Sequence, residues 1–150
     1  MSLENFSNVK YSYPFQPKTP YVAVDGIIKI FIKEQFQGIV LIERKNEPKG
    51  FALPGGFVEI GEKVEDALRR EMKEETGLDV ESPRLFHVFS DPLRDPRFHT
   101  VSITFECIAY KEPKSGDDAK AAHIVKLEEI PWDRLVFDHA DILQKFLKRE

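Results

Sequence analysis

Residues 53–78, LPGGFVEIGEKVEDALRREMKEETGL, read in turn as a loop, a helix and a stop. Pro54, Gly55 and Gly56 break regular structure, and from about Lys63 nothing interrupts a helical pattern until Gly77, a residue suited to the left-handed conformation that ends helices. At about 100° per residue, Val64, Ala67, Leu68 and Met72 form an apolar stripe, and Glu71 and Glu75 fall inside it. Two carboxylates are therefore aimed inward. With Glu74, they place three negative charges at i, i+3 and i+4, which repel unless something positive lies among them. A divalent cation meets that need, because Mg²⁺ prefers hard carboxylate oxygens and fills the rest of its octahedron with water and substrate phosphates. The competing reading is a solvated helix face on which Arg69, Arg70 and Lys73 balance the glutamates.

The order of residues decides against that reading. Gly56-x5-Glu62-x7-Arg70-Glu71-Met72-Lys73-Glu74-Glu75-Thr76-Gly77-Leu78 matches the Nudix box at each specified position, and the chain resembles the Nudix hydrolases. The resemblance implies an α+β chain with the Nudix fold, an α/β/α sandwich around a mixed β-sheet. It implies that Glu71, Glu74 and Glu75 bind Mg²⁺ or Mn²⁺ together with the Gly56 carbonyl. Arg70 would pair with a glutamate and hold it in place, while Glu62 and Gly77 would serve structural roles, Glu62 by anchoring Arg70. The implied chemistry is metal-dependent hydrolysis of a diphosphate linkage, with Glu74 or Glu71 taking the proton of the attacking water.

At 150 residues, with 41% hydrophobic and 32% charged, the chain suits a single globular domain. Its net charge of −4 opposes broad nucleic-acid or membrane binding through bulk electrostatics, so a phosphorylated substrate must be met by local cations and metal. Cys107 is the lone cysteine and sits in an apolar run, which reads as a buried, inert thiol in a reducing compartment. No leader-like segment or membrane-length apolar run occurs, and the cytoplasm is the expected location.

Residues 1–20, with Tyr11, Tyr13, Phe15 and three prolines, read as an extended arm ahead of a domain over 21–150; such an arm would suit a homodimer. Strands are expected at Tyr21–Lys33, with an irregularity at Asp25-Gly26, then at Gly38–Lys45 after a turn at Gln35–Gly38. Further strands are expected at Phe51–Val58, Asp79–Phe89, Thr100–Lys111 and Ile124–Leu127. Glu128–Trp132 reads as a turn and Asp138–Lys148 as an amphipathic helix that Asp138 caps.

Outside the box, SDPLRDPRFHTVSITF (90–105), SGDDAK (115–120) and FDHADIL (137–143) resemble segments of archaeal and bacterial ADP-ribose pyrophosphatases. That likeness implies ADP-ribose as substrate, a small nucleoside diphosphate derivative, with AMP and ribose 5-phosphate as products. Arg94, Arg97 and His99 suit phosphates or ribose hydroxyls, Arg44 reads equally as a phosphate contact or a solvated edge charge, and Phe98, Phe137 or an arm aromatic suits stacking on adenine. Phe137 reads more readily as a core plug, and His139 as a substrate contact or a helix-start residue bonded to backbone. Ala121 stands where relatives often carry a glutamate, which leaves the base to Asp117 or Asp118 or to the box. The alternatives are a triphosphate pyrophosphohydrolase that sanitises the nucleotide pool and a non-catalytic ADP-ribose sensor.

Overall fold

Alternation along the first strand sets up two cores. A computed structural model describes residues 11–114 and 121–149. Strand β1 (Tyr21–Ile32) directs Val24, Ile28 and Ile30 toward helix α1 (Val64–Thr76), where they meet Ala67, Leu68 and Met72. Ile27 points the other way, to Ile142, Leu143 and Phe146 of helix α2 (His139–Lys148). Period-2 side chains on one strand thus bury apolar surface against a helix on each face, the α/β/α sandwich expected. Gly26 lies under α1 with no room to spare, since a Cβ there would stand 2.6 Å from the Met72 sulfur.

The mixed sheet also comprises β2 (Gln35–Arg44), β3 (Gly50–Ala52), β4 (Gly55–Phe57), β5 (Glu81–Phe89), β6 (Thr100–Ala109) and β7 (Ala121–Val125). β6 runs parallel to β1 along Tyr21–Ile30 and antiparallel to β5. On its other edge β1 pairs with two strands in succession, β4 at Ala23–Asp25 and β2 at Lys29–Ile32. β2 in turn pairs with β3 at Ile42–Arg44 and with β7 at Ile39–Glu43. Because Ile39 bonds β1 and β7 at once, and Ile42 bonds β3 and β7, β3 lies on the same edge of β2 as β1. β1 and β2 therefore diverge, and the chain from β3 through Leu53-Pro54 to β4 fills the fork. The cleft described below opens there.

Several local expectations need correction. The turn between β1 and β2 lies at Lys33-Glu34, both with positive φ, rather than at Gln35–Gly38. β1 runs unbroken through Asp25-Gly26; what changes there is its partner, as the Gly26 N–H leaves the β4 ladder for the Pro54 carbonyl at 2.9 Å. The expected strand over Phe51–Val58 is two strands split at Leu53-Pro54. The last short strand ends at Val125, and Leu127 already begins a 3-10 turn. Asp138 occupies the cap position of α2 without a capping hydrogen bond, because Arg94 claims its carboxylate. Arm residues 11–20 are exposed and irregular, and its first ten residues lie outside the described part.

Cys107 is buried in the α1 core, where burial pushes its thiol up to about 12. No helix among the described residues is long and apolar enough to cross a membrane. Gly77 ends α1 at φ 72°, its N–H bonded to the Lys73 carbonyl at 2.9 Å. Gly77→Ala should therefore cost about 1 kcal/mol of unfolding free energy in urea titrations, with an unchanged circular dichroism spectrum.

Candidate active site

The guanidinium of Arg70 fixes the acidic face of α1 in place. Its Nε and Nη2 donate to the two oxygens of Glu62, both at 2.8 Å, and Nη2 also reaches the Phe57 carbonyl at 3.0 Å. Nη1 donates to Glu71 at 2.7 Å and approaches Glu74 at 3.4 Å. Glu62 is buried, and the hydrogen bonds from Arg70, which outweigh burial, hold its carboxyl below the usual range. The Arg70 pKa is raised in return, first by Glu62. Part of the charge crowding read from the sequence is thus relieved by Arg70 itself, at the flank of the helix.

Glu71 and Glu75 face a cleft of about 410 Å³, within the range of small-molecule sites. Glu74 is exposed and is not among the lining residues. Burial raises the Glu71 carboxyl, partly offset by Arg70. Gly56 packs directly on this carboxylate, and a Cβ at that position would collide with all three of its terminal atoms. The donors on this wall are hard oxygens suited to a divalent cation: the Glu71 and Glu75 carboxylates with the Gly56 backbone. Among the described residues no group of three or more His, Cys, Asp or Glu side chains is arranged to hold a metal ion by itself.

The cleft lining also carries cationic and aromatic side chains. Arg44, at the end of β2, donates Nε to the Pro48 carbonyl at 2.8 Å and lies 5.1 Å from the Phe137 ring centre. Arg97 is paired with Asp95 at 2.9 and 3.1 Å, and its Cζ stands 5.1 Å from Phe137, 5.2 Å from Phe98 and 5.8 Å from Phe57. Tyr21, Phe57 and Phe98 form a partly exposed cluster beside it, with ring centres 4.8 to 5.8 Å apart. Arg97 and Asp95 stabilise one another: burial would raise the Asp95 carboxyl, but the side-chain and backbone hydrogen bonds of Arg97 bring it down.

Two residues expected to meet substrate are engaged by partners within the protein. Arg94 lines the cleft but is only 7% exposed, and its fork is closed on Asp138 at 2.6 and 2.9 Å. It ties the 90–99 loop to the start of α2. His99 lies outside the cleft lining, with Nε2 3.2 Å from the Ser90 carbonyl. Asp117 and Asp118, the loop alternatives for a base, lie outside the described residues; Ala121 opens β7.

Asp25 was not read as a site residue. It is buried at the cleft floor, 2.5 Å from the Ser102 hydroxyl, which itself lies 2.9 Å from Thr104. Burial pushes its carboxyl up to about 6. The signal was present: an aspartate inside the apolar run VAVDGII, where charged residues are rarely buried without a partner. Phe57 was likewise visible only as part of the box.

A profile of the NUDIX domain matches residues 21–146. The chain belongs to the Nudix family. Among curated Nudix relatives, the chain is 51% identical over 132 residues to an ADP-ribose pyrophosphatase of Methanocaldococcus jannaschii, covering 86% of this chain and 74% of that protein. A MutT/nudix family protein from Enterococcus faecalis superposes with a TM-score of 0.77 at 30% identity, over 99% of this chain and 69% of that one. The bifunctional NMN adenylyltransferase/ADP ribose pyrophosphatase of Francisella tularensis gives 0.72 at 28% identity, over 91% of this chain and 42% of that one.

His139 closes the back of this Nudix cleft. Its Nδ1 accepts the Leu53 N–H at 2.9 Å, so the neutral ring carries its proton on Nε2, which faces Asp25 Oδ1 at 3.8 Å. Burial, aided by Arg94 and Arg44 and opposed by Asp138 and Asp95, pushes the imidazole down to about 3. Between about 6.5 and 3 the unfolded chain binds a proton that folded His139 refuses, so this residue's share of stability is lost as pH falls through that window. Asp25 works the opposite way between about 6 and 3.8, since its folded carboxyl protonates first. His139→Asn keeps an acceptor near Leu53 without titrating, and the urea midpoint of that variant should fall less steeply than wild type between pH 7 and 4.

Proposed function

We propose that this protein hydrolyses the diphosphate bond of ADP-ribose with a divalent cation, Mg²⁺ or Mn²⁺, releasing AMP and ribose 5-phosphate. The observation that carries the reading is the composition of the cleft: Glu71, Glu75 and Gly56 line it together with Arg44 and Arg97. A diphosphate needs both, cations to receive its oxygens and hard anionic donors to share a metal with it. The relatives named ADP-ribose pyrophosphatase narrow the choice of diphosphate.

Glu71, Glu75 and the Gly56 carbonyl would hold the cation, with Glu74 adding a ligand from the exposed flank. When bound, the ion neutralises charge on the diphosphate and lowers the pKa of water at the reaction centre. Glu71, which faces the cleft, is better placed than Glu74 to accept the proton of the attacking water. Arg70 holds the Glu71 carboxylate through a 2.7 Å bond, and Glu62 holds Arg70, so the acceptor keeps one orientation. The Tyr21, Phe57 and Phe98 cluster offers exposed ring surface at the rim for the adenine.

Hydrolysis is tested with a panel of ADP-ribose, other nucleoside diphosphate sugars, dinucleoside polyphosphates, NADH and oxidised deoxynucleoside triphosphates, each with Mg²⁺ and with products identified. ADP-ribose should give the highest kcat/KM, and a preference for triphosphates would overturn the substrate assignment. Glu75→Gln should reduce kcat by at least about 100-fold, since loss of an outer-shell partner alone costs 10- to 100-fold in metal sites. Its melting temperature should stay within a few degrees of wild type, and near-normal turnover would remove Glu75 from the metal-binding role.

A further inference from the structure

Phe137 has a backbone that phenylalanine does not choose. Its φ is +56°, in the left-handed region where a bulky side chain is disfavoured and glycine or asparagine is at ease. Bonds on both sides impose the conformation. The Val136 N–H donates to the Phe51 carbonyl at 2.9 Å, Asp138 is gripped by Arg94, and His139 takes the Leu53 amide. Strain held in this way next to a cleft points to a side chain needed where it stands.

The ring lines the cleft, and the guanidiniums of Arg44 and Arg97 both stand 5.1 Å from its centre. Two like charges are thereby gathered around one π-system, whose quadrupole attracts each of them. Each guanidinium is also held by a neighbour of its own, Arg44 by the Pro48 carbonyl and Arg97 by Asp95. With two guanidiniums on it, this ring is a poorer surface for a nucleobase than the exposed Phe57 and Phe98 rings, which Arg97 approaches at 5.8 and 5.2 Å.

We propose that Phe137 is a positioning residue: its ring gathers Arg44 and Arg97 into a two-cation receptor for the diphosphate, in the cleft that Glu71 and Glu75 also line. The inference rests on reading the cleft as a nucleoside diphosphate site. It assigns Phe137 a task distinct from base stacking, and it makes substrate affinity depend on an aromatic ring that need not touch the substrate.

The test measures ADP binding by calorimetry in buffer with EDTA, for wild type, Phe137→Leu, Phe137→Tyr and Phe137→Gly, together with melting temperatures. Phe137→Leu should lose roughly 10-fold in affinity, as expected when a cation–π contact is removed from each of two arginines, and Phe137→Tyr should stay within about twofold of wild type. Phe137→Gly accepts the left-handed backbone and should lose as much affinity as Phe137→Leu, which keeps the comparison available if the leucine variant does not fold. With Mg²⁺ and ADP-ribose, Phe137→Leu should raise KM while kcat changes less than about threefold. Wild-type affinity in Phe137→Leu or in Phe137→Gly would overturn the inference, as would a tyrosine variant as weak as the others at an unchanged melting temperature. The functional reading fails on a different readout, turnover of ADP-ribose by the wild-type protein, whereas this inference is decided on metal-free ADP binding.

Discussion

The buried ion pair between Arg70 and Glu62 is the contact on which the rest of the site depends. It joins the middle of α1 to the loop that precedes the helix, and the same guanidinium reaches the carbonyl of Phe57 on β4. Helix, loop and strand are therefore bound at one point, and the Glu71 carboxylate lies directly against Gly56 as a result. Pairing of this kind in low-dielectric surroundings is specific more than it is stabilising, because desolvating both ions offsets much of their attraction. Removing one partner is the costly event, since it strands the other charge.

The fork in the sheet supplies the space. A regular ladder between β1 and β2 would leave no cleft, since side chains on both faces are already committed to the two helices. Divergence of the strands lets β3 and β4 each take one of the freed edges, so backbone pairing continues along both while a concave surface opens between them. Asp25 lies at the point where β1 changes partner, and its carboxyl is buried at the floor with Ser102 and His139 as neighbours.

How much of this could be read from the sequence depended on how far apart the cooperating residues lie. The helix, its Gly77 stop and the inward aim of Glu71 and Glu75 follow from periodicity within one segment, and the box order is likewise local. The ion pair of Arg94 is not legible locally, because its partner, Asp138, lies on another element, and nothing in a loop arginine announces a pair made across the fold. Asp138 in turn looked like a helix cap, since the local rule favours it there and only the tertiary pair removes it. Asp25 and Phe57 escape a local reading for a related reason: each lines the cleft only together with residues distant in the chain, such as Arg97 and His139. The turn at Lys33-Glu34 escaped notice because neither residue type signals the positive φ that it adopts.

One consequence concerns the thiol of Cys107. It is 1% exposed, and its ionisation is pushed far above neutral pH, so the thiolate that attacks alkylating reagents is nearly absent in the folded state. A cysteine introduced anywhere on the exterior would then be the single reactive sulfur in the molecule. Fluorophores or spin labels can be attached to this protein one site at a time without first replacing the native cysteine.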